Sequence, residues 1–407
     1  MSLKICFICA EYPPSLHGGI GTFTQVLARA LAQAGHQVRV VGVYHPSDCA
    51  PDYEEDQGVR IWRLREPAGR LGWVFGRRQL FRTVSDWSRR GEIDLIEVPD
   101  WDGWAAGWPR LPVPVIVRLN GSASYFAAEM GQSPRRTTFW LERASLRRAD
   151  FWCSVSHYTA NKTQSLYGLR SGPRAILYNS VESFADRGES VRSKDQVVFT
   201  GTLTAKKGIV QLIKAWPRVL EVCEGAELHL FGKIGSSAQG QSMKAQLLSQ
   251  ISVGAGKSVH FHGHQTREAL FQALRQARLA VFPSYAEAFA LAPLEAMALG
   301  CPTIYSRRGS GPELIEHERD GLLVEPDHIE EIATAIIRIL TDDHLAQRLG
   351  EAGRERVQEN FSVRAQLARN ESFYRGCIDD FKRASKLAAS YLSAARVIRT
   401  SASDGKS

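Results

Sequence analysis

The stretch that most constrains the fold is 282–300, FPSYAEAFALAPLEAMALG, where a short apolar run (279–282) meets Pro283 and Ser284, passes through a loop and turns helical. Pro293 suits the first turn of a helix because the N–H it lacks would have no partner there. The chain continues as helix to Leu299 and is closed by Gly300 and Pro302. A strand that runs through a loop into a helix is the unit of a parallel α/β sheet. The free amides at the start of such a helix carry about half a positive charge and suit a phosphate. Ala286, Ala288, Ala290 and Ala292 would let a ligand come close to the backbone.

Glu287 and Glu295 punctuate this stretch, with seven residues between them. Carboxylates beside a phosphate make sense if the ligand also carries hydroxyls, since an ionised carboxylate accepts two of them. The same pair also reads as an ordinary loop glutamate and an exposed helix glutamate.

The amino-terminal segment repeats the unit. An apolar strand over 3–10 leads through Glu11-Tyr12-Pro13-Pro14 and His17-Gly18-Gly19-Ile20-Gly21 into a helix over 22–34 with apolar residues at Phe23, Val26, Leu27, Ala30 and Leu31. A strand over 37–41 follows. A dinucleotide site fails here, because the second strand runs into Val41-Gly42-Val43-Tyr44 with no acid to grip a ribose.

At 407 residues the chain is long enough for two domains, each with its own core. No apolar run approaches the roughly 18 residues that span a bilayer, and the first residues lack the layout of a secretion signal. Seven scattered cysteines point to a reducing, cytosolic compartment. Cys6 and Cys9, three apart on a strand, face opposite sides of the sheet and cannot share a metal or a disulfide.

The net charge of +8 is compatible with nucleic acid, an anionic lipid or an acidic substrate. Its distribution is more telling. Residues 60–90 hold nine arginines against Glu66 and Asp86, interleaved with Trp62, Leu71, Trp73, Val74, Phe75, Leu80 and Phe81. A helical stretch of this kind fits either an anionic membrane surface or a core-packing helix with a solvated basic face. Three histidines, His260, His262 and His264, alternate near the end of a predicted strand, but Gly263 breaks it and no acidic residue is close in sequence, so no metal site is expected.

SYAEAFALAPLEAMALGCPTI resembles the E-x-x-x-x-x-x-x-E segment of the retaining glycosyltransferases of the two-Rossmann-domain (GT-B) architecture, most closely glycosyltransferase family four. Four other segments agree with it. PPSLHGGIGTF resembles the family's P-P-x-x-G-G turn, in which the backbone at Gly18 and Gly19 approaches the donor diphosphate or the acceptor. Residues 149–157 resemble its A-D-x-x-x-x-V-S strand, and Asn179-Ser180-Val181-Glu182 its N-G-V-D turn out of the first domain. Residues 196–208 resemble its G-R-L-x-x-x-K-G segment, with Gly201 at the turn and Lys207 as the phosphate lysine. Thr202 stands where an arginine is usual, which Lys206 could offset. The strand over 113–121 ends in Arg118-Leu119-Asn120-Gly121, where the family commonly has R-L-H-G, so Asn120 can hydrogen-bond a sugar hydroxyl but cannot act as an acid or base.

The resemblance implies an α/β chain of two doubly wound domains facing a cleft: 1–185, then 196–362 for the nucleotide sugar, with 183–195 as linker. A helix over 363–398 would cross back to the first domain, and 399–407 would be a flexible tail. It implies a retaining, metal-independent, cofactor-free transfer of a hexose from a nucleoside diphosphate sugar to a hydroxyl acceptor, in glycolipid, polysaccharide or other glycoconjugate synthesis. Glu287 would hold sugar hydroxyls and Glu295 the ribose. The amides of Ala288, Phe289, Ala290 and Leu291, with Lys207 and Arg307 or Arg308 beside Gly309, would hold the diphosphate, and His262 and Gly263 the base. No nucleic acid is expected; a lipid-linked acceptor and a peripheral place on the inner membrane face are. Two alternatives stay open: a nucleotide-sugar epimerase of the same plan, and a catalytically dead basic protein binding lipid or nucleic acid.

Overall fold

The computed structural model describes residues 2–182, 192–235, 243–251 and 253–403; most of the expected linker, 183–191, lies outside them. The first sheet contains β1 (Lys4–Ile8), β2 (Gln37–Tyr44), β3 (Tyr53–Asp56), β4 (Val59–Arg65), β5 (Leu95–Pro99), β6 (Val115–Leu119), β7 (Phe151–Ser154) and β8 (Ala175–Ile176). Its order is β3-β4-β2-β1-β5-β6-β7-β8, and every pairing is parallel except β3 with β4. The second contains β9 (Gln196–Thr200), β10 (Glu227–Phe231), β11 (Val259–Gly263), β12 (Leu279–Phe282), β13 (Thr303–Ser306) and β14 (Leu322–Val324), all parallel, in the order β11-β10-β9-β12-β13-β14.

Both orders reverse beside the sheet's first strand, at β1/β5 and at β9/β12. In open α/β sheets that reversal opens a crevice at the strands' carboxyl ends, where ligands bind. Central strands covered on both faces read as nearly continuous apolar runs, and β6 and β12 are buried at every position. The alternation of faces puts Cys9 with Ile5 and Phe7 in one core, and Cys6 with Ile8 in the core across the sheet. Both thiols are free.

The helix Val363–Ser403 packs back on the first domain, against the helix Gly19–Gln33. Tyr374 and Asn370 on this helix bond to the buried Glu97–Arg118 ion pair at 2.7 and 2.6 Å, and Phe373, Cys377 and Ile378 join the core of β1 and β2. Buried charges persist only when paired and hydrogen-bonded, so this return is a built contact. The helix runs on through Ser403, which corrects a tail starting at 399; 404–407 lie outside the described residues.

The basic stretch 60–90 is not one helix. Its first part is β4, where Arg63 is fully buried on Pro13 O, Ser15 and Glu54, and Trp62 packs at a tilt against Trp87, ring centroids 4.7 Å apart. Its second part, the helix Gly72–Arg89, buries Leu80, Val84 and Trp87. At its start Leu71, Trp73 and Phe75 remain 59, 50 and 53% exposed. Among the described residues no helix is long and apolar enough to cross a membrane.

Candidate active site

The loops at the carboxyl ends of the two sheets meet, and the contacts converge on three successive carbonyls of the loop after β12. Tyr125 donates to Glu287 O at 3.1 Å, Ser156 and Thr159 to Ala288 O at 2.9 and 3.0 Å, and Asn179 to Phe289 O at 2.9 Å. All four donors belong to the first domain. A trans peptide is planar, with its N–H opposite its C=O. Holding these carbonyls therefore turns the N–H groups of Ala288, Phe289 and Ala290 away from the first domain.

Those N–H groups, with those of Leu291 and Ala292 at the start of the helix Leu291–Ala298, make no hydrogen bond among the described residues. More than nine in ten buried backbone amides are paired. A run of five donors with no partner among the described residues, three of them in the buried residues Ala288, Phe289 and Ala290, has the chemistry to hold an anion. The helix starts two residues before Pro293, which places Glu295 in its second turn.

The turn after β9 closes on this loop. Tyr285 N–H donates to Lys206 O at 2.8 Å. Gly208 has φ +71°, and a Cβ there would lie 1.8 Å from Pro283 O, so no other residue fits. The fit delivers the Lys207 ammonium to the Glu287 carboxylate, with which it forms an ion pair. Lys206 instead reaches across the gap, its Nζ 3.8 Å from the Phe126 ring centroid, and burial pushes its pKa down. Gly201 (φ +141°) and Gly232 (φ +142°) pack backbone to backbone at the ends of β9 and β10, and Thr202 is exposed.

Glu295 is half-buried, its side chain 18% exposed, and opposed by Arg267, 3.5 Å away; burial, against the pull of that guanidinium, pushes its pKa up to about 7. Across the gap, Asn120 N–H and Gly121 N–H donate to the buried Asp100 at 2.9 and 3.2 Å, and burial pushes the Asp100 carboxyl up to about 7. Gly121 (φ +88°) is pressed against the loop, since a Cβ would lie 3.0 Å from that of Ala288. Gly309 (φ +63°) abuts Glu287 O in the same way, at 3.1 Å.

Several expected residues have protein partners of their own. Arg307 bonds to Leu323 O on the edge strand β14 and to Glu331, and Arg308 pairs with Glu325 and Asp327, so acids beyond the loop claim both charges. Gly18 and Gly19 open the helix Gly19–Gln33, but the side chain of Glu11 already caps it, accepting from Gly21 N–H at 2.7 Å. His262 is stacked on Phe231 and His229 on the face of the sheet, while Gly263 ends β11 and its carbonyl accepts from Gly232 N–H at 2.7 Å. His264 lies beyond the strand. An acidic residue does stand by the histidines, because parallel pairing of β10 and β11 brings in Glu227.

Sequence reasoning passed over Glu11, Asp100, Tyr125, Ser156, Thr159 and Glu313. The last accepts from His157 N–H and Tyr158 N–H, both at 2.8 Å, and so ties the second domain to a first-domain helix start. Asp100, Glu11 and Ser156 left a local signal, a polar residue just past a buried strand.

Residues 182–356 match the family described as glycosyl transferases group 1, and residues 18–180 match the glycosyl transferase 4-like domain. An MMP alpha-(1->4)-mannosyltransferase of Mycolicibacterium hassiacum is 32% identical over 403 residues, covering 89% of this chain and 95% of that protein. Among solved structures, sucrose-phosphate synthase from Thermosynechococcus elongatus superposes with a TM-score of 0.76 at 24% identity, over 93% of this chain and all of the other. The Anabaena protein HepE in complex with UDP-glucose gives 0.71 at 16% identity, over 92% of this chain and all of the other. These two likenesses carry the two-Rossmann-domain, GT-B fold. Together with the family matches and the mannosyltransferase relative, they place the chain in the glycosyl transferases group 1 family: it is a glycosyltransferase.

Proposed function

We propose that the protein transfers a hexose from a nucleoside diphosphate sugar to a hydroxyl acceptor with retention at the anomeric carbon. The observation that carries this is the run of unpaired amides from Ala288 to Ala292 beside the Lys207–Glu287 pair. The diphosphate takes the amides and draws Lys207 off Glu287, which frees the Glu287 carboxylate for sugar hydroxyls. Glu295 accepts from the ribose, and Asn120 bonds a hydroxyl of the reacting sugar. The UDP-glucose held by the HepE neighbour supports a donor of this class.

As the bond from the anomeric carbon to the diphosphate oxygen breaks, its electron pair goes to the leaving phosphate. The acceptor oxygen bonds to the same face of the sugar and gives its proton to that phosphate oxygen. Lys207 and the amides are fixed positive groups aimed at the charge that develops, the usual source of the largest catalytic effect. They supply what a metal would, so transfer is metal-independent and continues in EDTA. Leu71, Trp73, Val74 and Phe75, flanked by the exposed Arg70, Arg78 and Arg82, suit docking of the first domain on an anionic membrane that carries a lipid-linked acceptor. A thermal-shift screen of nucleoside diphosphates, followed by sugar transfer from the donor of the best base, tests the proposal. No shift with any of them would remove it.

A further inference from the structure

Among the described residues one group of histidine and acidic side chains has the spacing of metal ligands. In the pairing of β10 with β11, His229 lies beside His260. Side chains two apart on a strand share a face, so Glu227 and His229 stand on one surface with His260 and His262, at the open edge of the sheet.

One carboxylate oxygen of Glu227 is 3.3 Å from His229 Nε2, and the other is 3.8 Å from His260 Nε2. One ligand atom from each of the three residues lies within 4.8 Å of the other two. Ligand atoms about 2.0–2.2 Å from a tetrahedral zinc are about 3.4 Å from one another, so the side chains are already near the edges of such a site.

Two further details point the same way. His260 Nε2 is shut off from solvent yet makes no hydrogen bond among the described residues, although a buried polar atom nearly always has a partner. His229 Nδ1 is 2.9 Å from His262 Nε2. With a cation on the Nε2 lone pair, His229 Nδ1–H is placed to donate to His262, which is how an outer partner fixes the tautomer of a ligating histidine. His262 is held in turn by its stack on Phe231, with 4.3 Å between ring centroids and 8° between planes.

We propose that Glu227, His229 and His260 bind a transition-metal cation of the zinc type, with the fourth position open to water. His262 is a positioning residue that holds His229. The site is separate from the transfer chemistry: His229 precedes the strand-end turn at Gly232 by three residues, roughly 10 Å of strand. A bound ion clamps the edge strand β11 to β10 and raises the stability of the folded chain by mass action.

The test uses untagged full-length protein stripped with EDTA and desalted, titrated with Zn2+ by calorimetry and followed by thermal unfolding. One equivalent binds and the melting temperature rises. His229→Ala and His260→Ala each weaken binding more than tenfold, while sugar transfer, which shows that the variants are folded, is unchanged. His262→Ala keeps all three ligands and weakens binding about tenfold. Co2+ gives the intense visible bands of a tetrahedral ion in the wild type and loses them in His229→Ala. Absence of saturable Zn2+ binding by the wild type, or equal affinity in the His229 and His260 variants, overturns the site. Neither result touches the donor site, which is measured with nucleotide in EDTA.

Discussion

Two helix starts face the gap between the domains, and they differ in what meets their amides. At Gly19–Gln33 the chain supplies its own anion, the Glu11 carboxylate on Gly21 N–H. At Leu291–Ala298 no such anion stands among the described residues, and the amides of Ala288 to Ala292 have no partner there. Both are helix starts after a parallel strand, and the first has the more suggestive glycines. The lesson is that an anion site is marked by unsatisfied donors, whereas a glycine-rich turn is only permission for a close approach. The first domain's turn bonds to its own Glu11, and on the proposed function the second's is kept for the ligand.

The sharpest way to break this contrast is at Lys207. Lys207→Ala should lower kcat about 10²–10³-fold, the usual loss when one group aimed at developing charge is removed, as read from initial rates at saturating donor. A loss that appears only in the donor KM would contradict a role in the transfer step. Glu287→Gln should follow, with kcat down about tenfold or more, the scale of one hydrogen bond to a charged group.

Glu295→Ala should act on binding, raising the donor KM about tenfold with kcat little changed. Its carboxyl, lifted to about 7 by burial, is neutral below that pH and ionised above it. The ionised form is the better acceptor, so donor affinity should rise from pH 6 to pH 8. Glu295→Gln should flatten that rise, whereas a profile unaltered by it would move the titration to another group, Asp100 being the first to examine.

Smaller effects are expected from the carbonyl clamps. Asn179→Ala or Tyr125→Phe should lower kcat/KM a few-fold, about the worth of one neutral hydrogen bond, because the amides they aim remain present. Glu11→Gln should change donor kinetics least and cost about 1 kcal/mol of stability, as for loss of a helix cap. If Glu11→Gln instead altered nucleotide affinity as strongly as Lys207→Ala altered kcat, the contrast between the two turns would collapse.

The architecture was legible because it is written in local periodicity: apolar runs, glycine turns and helix stops recur along the chain. Within the site, Lys207 and Glu287 were each reached through the family resemblance of their segments, and their pairing emerged only from the structure. What sequence could not give is which distant group claims a charge. Arg307 and Lys207 look alike in sequence, yet Glu331 takes one away from the gap and Glu287 keeps the other in it. The same holds for Glu11, whose partner Gly21 was visible as a glycine but not as a capped amide, and for Glu227, thirty-three residues from His260 and adjacent to it only through strand pairing.

The most direct measurement is a crystal structure of the protein with the best-bound nucleoside diphosphate. The account predicts phosphate oxygens on the amides between Ala288 and Ala292, Lys207 turned from Glu287 to the phosphate, and Glu11 still on Gly21. A diphosphate seated at Gly18–Gly21 with Glu11 displaced, or one bound outside the gap, would contradict it.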